Sequence, residues 1–146
     1  MLKETLTQAM KDSMKAKQKF RLKVIRCALS EIKRVEIDKQ IEIDDLGCLE
    51  VIDKMVKQRH YSAKQFKEGN RLDLVDNELA EIEILKDFLP RPLSAHEIDS
   101  LIEAAIQLCE VSSPSSIGQI MKILKPKIQG RANMQEVSTL VKERIN

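Results

Sequence analysis

Apolar residues recur at every third or fourth position along nearly the whole chain, and this spacing constrains the fold more than any other feature. Leu22, Ile25, Leu29 and Ile32 form one such line. Because an α-helix turns once in about 3.6 residues, a line of this kind gathers on one face that can be buried. Aromatic residues make up only 3% of the chain, which disfavours strands. The sequence therefore predicts an all-α fold.

Two prolines near the middle of the chain predict a domain boundary. A fourth helix must stop at Pro90, because proline lacks an N–H and clashes with the preceding turn. Pro92 follows, and the sequence SAHE at 94–97 is a capping box that opens a new helix. We therefore expect an N-terminal four-helix bundle-like domain of residues 1–90 and a small three-helix C-terminal domain of residues 91–146.

Three local signals predict individual helix ends. The segment 43–45 (IDD) precedes a long apolar line and supplies an N-cap signal for the third helix. Gly69, followed by Asn70, suits the C-cap of that helix and a tight turn. Pro126 predicts the end of the sixth helix.

Charge, cysteine spacing and hydropathy exclude several classes of protein. With 25 basic and 23 acidic residues, the net charge of +2 is too small for the whole chain to bind polyanions. Cys27, Cys48 and Cys109 are too widely spaced for a zinc site or a disulfide framework. Residues 1–19 lack a signal-peptide core, and no apolar run reaches transmembrane length. We therefore expect a cytoplasmic protein with no membrane contact.

The side chains that enzymes use are poorly represented. His60 and His96 are the only histidines, and both lie on or beside polar faces of predicted helices. Carboxylates such as Glu83 lie on an acid-rich helix without metal-ligand spacing beside them. The chain has neither a P-loop nor a GxGxxG motif. We therefore expect no catalytic residue, no metal site and no cofactor.

Arg59 continues the apolar line of the predicted third helix. It should therefore point towards a neighbouring helix, where a half-buried cation needs a carboxylate. If helices three and four form an antiparallel hairpin that turns at Gly69, the residue opposite Arg59 lies near position 80. Glu78 and Glu81 are then both within reach. We expect a structural ion pair that fixes the register of the hairpin.

Charge is unevenly shared among the first four predicted helices. Between Lys3 and Arg34 the chain carries ten basic and three acidic side chains. The fourth helix is acidic, with six carboxylates against Lys86. Attraction across the bundle together with solvation explains this pattern. The alternative is a docking face on the first two helices for an acidic partner.

A second basic cluster surrounds the turn near Gly130 and contains no acidic residue. Its members are Lys122, Lys125, Lys127 and Arg131. Turns present backbone N–H groups beside such charges, and this combination suits contact with phosphates. Since no aromatic residue lies nearby to stack on bases, we expect recognition of the backbone or shape of a folded RNA. The alternative is an ordinary solvated loop.

Three segments together resemble the YqeY family, the stand-alone relatives of the helical C-terminal region of GatB, a component of the tRNA-dependent amidotransferases. They are 21–26 (RLKVIR), 57–90 (from KQR to LP) and 118–132 (GQIM, then PK, then GRA). The resemblance covers nearly the whole chain. It implies a two-part helical fold and a link to tRNA, because the related tail reaches the body of the bound tRNA.

The resemblance leaves three functions to be compared. The first is a non-catalytic tRNA-associated binding module. The second is an adaptor that docks on a protein of the translation or amidotransferase machinery. The third is an accessory to carbon–nitrogen ligase activity with glutamine as amido-N-donor, which the family resemblance implies although the catalytic domain is absent here.

The chain departs from the family pattern at two places. Asn70 stands where the family commonly has glycine, and asparagine tolerates left-handed backbone. Asn133 and Met134 stand where Asp-Gly usually follows Gly-Arg-Ala, and methionine tolerates left-handed backbone poorly.

Overall fold

Seven α-helices and no strand make up the regular structure of residues 1–109 and 116–145, which the computed structural model describes. The prediction of an all-α fold is confirmed. The helices are α1 (Leu2–Lys15), α2 (Lys19–Lys39), α3 (Asp45–Glu68), α4 (Leu72–Lys86), α5 (Ala95–Cys109), α6 (Ile117–Ile128) and α7 (Met134–Ile145). Two compact units, Met1–Pro90 and Arg91–Asn146, contain α1–α4 and α5–α7. None of the described helices has the length and apolar character needed to span a membrane.

The core of the first unit is formed by the inward faces of α1–α4. α2 and α3 supply most of its side chains. The buried members are Leu6, Val24, Ile25, Ala28, Ile32, Cys48, Ile52, Met55, Val56, Ile82, Leu85 and Phe88. Each large apolar side chain removed from water stabilises the fold by roughly 1.5–3 kcal/mol. The faces opposite this core carry the charged residues.

The core of the second unit is formed by α5, α6 and α7. Its buried members are Ile102, Ala105, Ile120, Leu124, Ile128, Val137, Val141 and Ile145. On α6 the buried residues recur every fourth position, so one side of this helix is fixed inwards. The lysines between them are therefore directed to the surface.

Three helices of the first unit end at non-glycine residues with left-handed backbone. The φ angle is 56° at Lys17, 54° at Gln40 and 58° at Asn70. At each of these ends the next residue donates its N–H back to a carbonyl in the last turn of the helix. Carbonyls that the helix leaves without partners are satisfied in this way.

Gly69 is the C-cap of α3, as predicted, but the left-handed backbone usual for such a glycine lies at the next residue. Gly69 has φ −84° and ψ 5°, which any residue can adopt. The left-handed position is Asn70, and the Arg71 N–H donates to the carbonyl of Phe66 at 2.8 Å. Because asparagine tolerates left-handed backbone, the reversal takes place one residue later than the glycine suggested.

The predicted N-caps of α3 and α5 are present. Asp44 Oδ1 accepts a hydrogen bond from the Gly47 N–H at 2.9 Å. The Glu97 N–H donates to Ser94 Oγ at 3.1 Å, and the Ser94 N–H donates to Glu97 Oε1 at 3.3 Å. These bonds satisfy N–H groups that have no partner within the helix.

Pro126 does not end α6, contrary to the prediction. The helix continues to Ile128, and the Gln129 N–H donates to the carbonyl of Lys125 at 3.0 Å. Ile128 is fully buried, so core contacts hold the last turn although proline removes one hydrogen bond.

The start of α7 accommodates the departure from the family pattern. Gly130 carries the left-handed backbone of this turn, with φ 75°. Asn133 Oδ1 then accepts a hydrogen bond from the Gln135 N–H at 2.9 Å. Met134 is the first residue of α7 and needs no left-handed backbone.

The two residues of the α3–α4 turn should respond oppositely to alanine. Gly69→Ala should raise the free energy of unfolding by about 0.5–1 kcal/mol, because its backbone suits alanine. An added Cβ would lie 3.6 Å from the Gln65 carbonyl oxygen and 3.8 Å from that of Phe66, both ordinary contacts. Asn70→Ala should lower the free energy by about 1 kcal/mol, because left-handed backbone strains alanine. Urea unfolding measures both; destabilisation by Gly69→Ala would contradict this account of the turn.

Candidate functional site

Three lysines of the predicted RNA-binding cluster lie on the exposed part of α6. Lys122, Lys125 and Lys127 are all exposed. Helix geometry places Lys122 and Lys125 roughly 60° apart around the axis and Lys127 roughly 160° from Lys125. The buried side, with Leu124, lies between Lys125 and Lys127. The lysines therefore spread around the outer surface of the helix rather than meeting at one point.

The Arg131 side chain makes a hydrogen bond within its own unit. Its Nε donates to the carbonyl of Arg91 at 2.9 Å, and the Leu93 N–H donates to the Arg131 carbonyl at 2.9 Å. The residue is half-buried. These bonds hold the α6–α7 turn against the segment that precedes α5. Arg131 thus supports the local fold, in addition to any contact that it makes with a ligand.

Arg91 links this turn to the first turn of α5. Its guanidinium makes two hydrogen bonds to the Glu97 carboxylate, of 3.0 and 2.8 Å. The Arg91 guanidinium, together with the Ser94 N–H, lowers the pKa of Glu97 from 4.5 to about 2. Glu97 therefore serves both as an ion-pair partner and as a capping residue.

The electrostatic character of α6 and the turn that follows it is uniformly positive. Residues 116–135 contain no aspartate or glutamate. The carboxylate bonded to Arg91 comes from α5. A negatively charged ligand would meet no acidic side chain from α6 itself.

Arg59 and Glu81 meet between α3 and α4. Arg59 Nε donates to Glu81 Oε2 at 3.0 Å, and their side chains are only 15% and 11% exposed. The remaining guanidinium nitrogens donate to the Met55 carbonyl at 3.1 Å and to Cys27 Sγ at 3.8 Å. The cation is therefore satisfied on three sides.

Glu78, the other predicted partner of Arg59, lies beside this pair. Burial and the neighbouring charge of Glu81 raise the pKa of Glu78, and the positive charge of Arg59 offsets part of this effect. The hydrogen bond from the Arg59 Nε goes to Glu81. The structure thus identifies Glu81 as the hydrogen-bond partner of the Arg59 Nε, a choice between Glu78 and Glu81 that the sequence left open.

The two histidines considered for catalysis lie at the surface. His60 and His96 are both exposed. Cys48 is buried, and this burial raises the pKa of its thiol. Within residues 1–109 and 116–145 no group of three His, Cys, Asp or Glu side chains could hold a metal ion.

One ion pair joins the basic helix α2 to the residue that follows α4. Arg21 donates to Asp87 at 2.8 Å, and its guanidinium carbon lies 5.6 Å from the centre of the Phe88 ring. Charge attraction between these helices is therefore concentrated at one end of α2. Several other cations of α1 and α2 are exposed to solvent.

Comparison with known proteins matches residues 3–145 to the family described as "Yqey-like protein". A protein of Lachancea thermotolerans, named "Altered inheritance of mitochondria protein 41, mitochondrial", is 36% identical over 113 residues, 75% of this chain and 60% of that protein. A protein of Kluyveromyces lactis with the same name is 36% identical over 114 residues, 75% of this chain and 61% of its own length. A Schizosaccharomyces pombe protein, named only as uncharacterized, is 33% identical over 93 residues, 64% of this chain and 76% of its own.

These comparisons confirm the resemblance and correct the predicted localisation. The chain spans about 60% of the length of the two mitochondrial relatives. The prediction of a cytoplasmic protein is wrong by this comparison, because those relatives are named mitochondrial proteins. That prediction rested on charge and hydropathy, which show whether a segment can enter a membrane. Neither feature distinguishes the cytosol from the interior of an organelle.

Glu81 and Glu78 should respond differently to an isosteric substitution. Glu81→Gln removes the charge that compensates a half-buried guanidinium and should lower the free energy of unfolding by about 1–2 kcal/mol. Glu78→Gln is the matched control on the same helix and should change it by less than about 0.5 kcal/mol, because the Arg59 Nε bonds to Glu81 instead. Urea unfolding at pH 7 measures both. Equal losses would contradict the assignment of Glu81 as the partner of Arg59.

Glu97 should make the stability of the chain depend on pH. Its folded pKa of about 2 lies below the ordinary value of 4.5. The ionised carboxylate therefore stabilises the fold above pH 4.5, and this stabilisation is lost as the pH falls towards 2. Glu97→Gln keeps a capping side chain but cannot titrate.

The measurement is the free energy of unfolding at several pH values between 4.5 and 2. The unmodified chain should lose stability more steeply than Glu97→Gln over this range. Glu103→Gln, at an exposed position of α5, is the matched control and should retain the steep dependence. Parallel curves for the unmodified chain and Glu97→Gln would show that Arg91 and the cap do not act through this carboxylate.

Proposed function

Since the chain belongs to the YqeY-like family, as its match over residues 3–145 shows, we propose that it is a non-catalytic, tRNA-associated binding module. The proposed interface is the outer surface of α6 and the turn that follows it. Lys122, Lys125 and Lys127 supply charge there, and Arg131 maintains the turn. The observation that carries this proposal is the combination of exposed lysines with an acid-free segment.

The arrangement of the lysines favours phosphate contact over base reading. Side chains that read bases converge on one groove and include bidentate donors, whereas these three lysines are spread around α6. An ammonium group acts as a point charge that accepts many approach angles. Such a surface suits the ribose–phosphate backbone of a folded RNA, and its affinity should be sensitive to salt.

Arg131 contributes by holding the backbone of the turn. Its hydrogen bond to the Arg91 carbonyl fixes the α6–α7 connection relative to the start of α5. Gly130 supplies the left-handed residue that this connection requires. A loss of Arg131 would therefore loosen the site as well as remove one charge.

The family resemblance directs the choice of RNA. The related tail of GatB in the amidotransferases reaches the body of a bound tRNA, while amidation occurs in another domain. The names of the relatives refer to inheritance of mitochondria and identify no ligand. The proposal for tRNA therefore depends on the resemblance together with the charge of α6.

Binding of the full chain to tRNA across a salt series tests the proposal. Replacement of Lys122, Lys125 and Lys127 by glutamine should reduce the slope of log K against log salt by about two, because up to three phosphate contacts are lost. The matched control removes three exposed lysines of α3, namely Lys54, Lys64 and Lys67. This control should leave both affinity and slope unchanged.

Arg131→Gln provides an independent readout. Because Arg131 also holds the turn, this variant should lower thermal stability, which the lysine variants should not. Affinity for tRNA that is insensitive to salt, or equal in the lysine variant and its control, would contradict the proposed interface.

A further inference from the structure

A straight stripe of exposed residues runs along the outer side of α2. Its members are Lys19, Lys23, Arg26, Ser30, Lys33 and Ile37, all exposed. The spacing alternates between four and three residues, so the side chains share one face of the helix and extend over about 27 Å. The opposite face carries the buried Val24, Ala28 and Ile32. Core packing therefore fixes the direction of the stripe.

Some cations of α1 and α2 form salt bridges with carboxylates, whereas two cations of the stripe do not. Lys3 pairs with Glu36, and Arg34 pairs with Glu31. Within residues 1–109 and 116–145, Lys19 and Lys33 have no carboxylate within salt-bridge distance, although the charge of Lys33 helps to lower the pKa of Glu36. No carboxylate in the part of the chain that the structure describes therefore neutralises these two charges by direct contact.

Two further cations of the stripe are only weakly engaged. Arg26 donates to Met14 Sδ at 3.7 Å, a neutral acceptor on α1. Lys23 lies close enough to Glu78 to oppose the rise of that carboxyl pKa. On the adjacent helix α1, Lys11 and Lys15 are also exposed. The stripe is thus positively charged, and its cations have few partners among the described residues.

The stripe ends at a groove that contains two exposed isoleucines. Ile37 is 63% exposed and Ile41 is 54% exposed. They line an open groove of about 360 Å³ together with Lys33, Glu36, Gln40 and Glu42. The left-handed backbone of Gln40, with φ 54°, ends α2 between the two isoleucines. Two exposed aliphatic side chains beside a basic stripe form a surface of mixed character.

We propose that this stripe is a docking surface for an acidic amphipathic helix of a partner protein. A helix lying along α2 repeats its contacts at alternating intervals of three and four residues, which is the spacing of the stripe. Its carboxylates face the span from Lys19 to Lys33. One apolar side chain enters the groove between Ile37 and Ile41.

Two observations favour a helical protein partner over a nucleic acid. Exposed isoleucines gain from contact with an apolar side chain but add little to a phosphate backbone. The carboxylates of Glu36 and Glu42 line the same groove and repel any anion there, which suits a helix with an apolar side chain at this end better than a backbone with a phosphate at every nucleotide. An exposed aromatic ring could stack on a base, and Phe20 is exposed. It lies one position from Lys19, however, and is therefore about 100° around the helix from the stripe.

The inference is independent of the proposed tRNA contact. The stripe belongs to the first unit, whereas the lysines of α6 belong to the second. Each surface can therefore be removed by substitutions that leave the other unchanged.

A pair of synthetic peptides tests the inference on the full chain. The first is a 21-residue helical peptide, about 31 Å long, with glutamates at alternating intervals of three and four and one leucine at the end that meets Ile37. The second has the same composition but distributes its glutamates around the helix. Fluorescence anisotropy should show about tenfold tighter binding of the first peptide, because only that peptide aligns its charges with the stripe.

Variants assign the binding to named residues. Arg26→Gln with Lys33→Gln should remove the preference for the first peptide. Lys54→Gln with Lys64→Gln, an equal loss of charge on exposed positions of α3, should retain it. Ile37→Ser should weaken binding most clearly at high salt, where charge attraction is screened and the apolar contact remains. The triple lysine variant of α6 should bind the first peptide normally.

Two results would overturn the inference. The first is equal affinity for the two peptides, which would show that only net charge is read. The second is that Arg26→Gln with Lys33→Gln lowers the affinity for tRNA while the unmodified chain does not discriminate between the peptides. This result would make the stripe a nucleic-acid surface. Circular dichroism of each variant verifies that the helices are intact.

Discussion

Burial of one apolar face per helix is the constraint on which the rest of this structure depends. On α2 the burial of Val24, Ala28 and Ile32 fixes the opposite stripe at the surface. On α6 the burial of Ile120, Leu124 and Ile128 has the same effect on the lysines that lie between them in the sequence. The two candidate interfaces are therefore consequences of core packing, because a helix that buries one face cannot rotate its charges away from solvent.

The periodic pattern of the sequence predicted the helices, but helix ends depend on interactions that a pattern does not contain. Gly69 satisfies the usual signal for a C-cap, yet the left-handed residue is Asn70. Glycine and asparagine both tolerate left-handed backbone, so the residue types alone do not show which of the two positions has it. Pro126 lies within α6 because Ile128 is buried beyond it. Core contacts of a distant segment outweigh the local preference of proline to end a helix.

The candidate site was predictable where helix geometry set the distance and unpredictable where backbone atoms supplied the partner. Arg59 could be placed opposite position 80 because an antiparallel hairpin fixes which residues face each other, although only the structure separates Glu81 from Glu78. Arg131 bonds to the carbonyl of Arg91, 40 residues earlier in the chain. Every residue has a carbonyl, so no side-chain pattern marks this partner. Localisation was missed for another reason, since charge and hydropathy report on membranes and not on compartments.

Arginine and lysine have different roles in this chain. Most arginines make ion pairs, whereas lysine supplies most of the charge of the two candidate interfaces. Six of the eight arginines make ion pairs, at Arg21, Arg34, Arg59, Arg71, Arg91 and Arg144. The planar guanidinium holds a carboxylate in a defined geometry, which suits contacts that fix helices in place. The stripe of α2 and the outer side of α6 rely mainly on lysine, a hydrated point charge that exchanges partners at low cost. A chain with a net charge of only +2 can thus place most of its arginines in ion pairs and still have local surfaces that are rich in lysine.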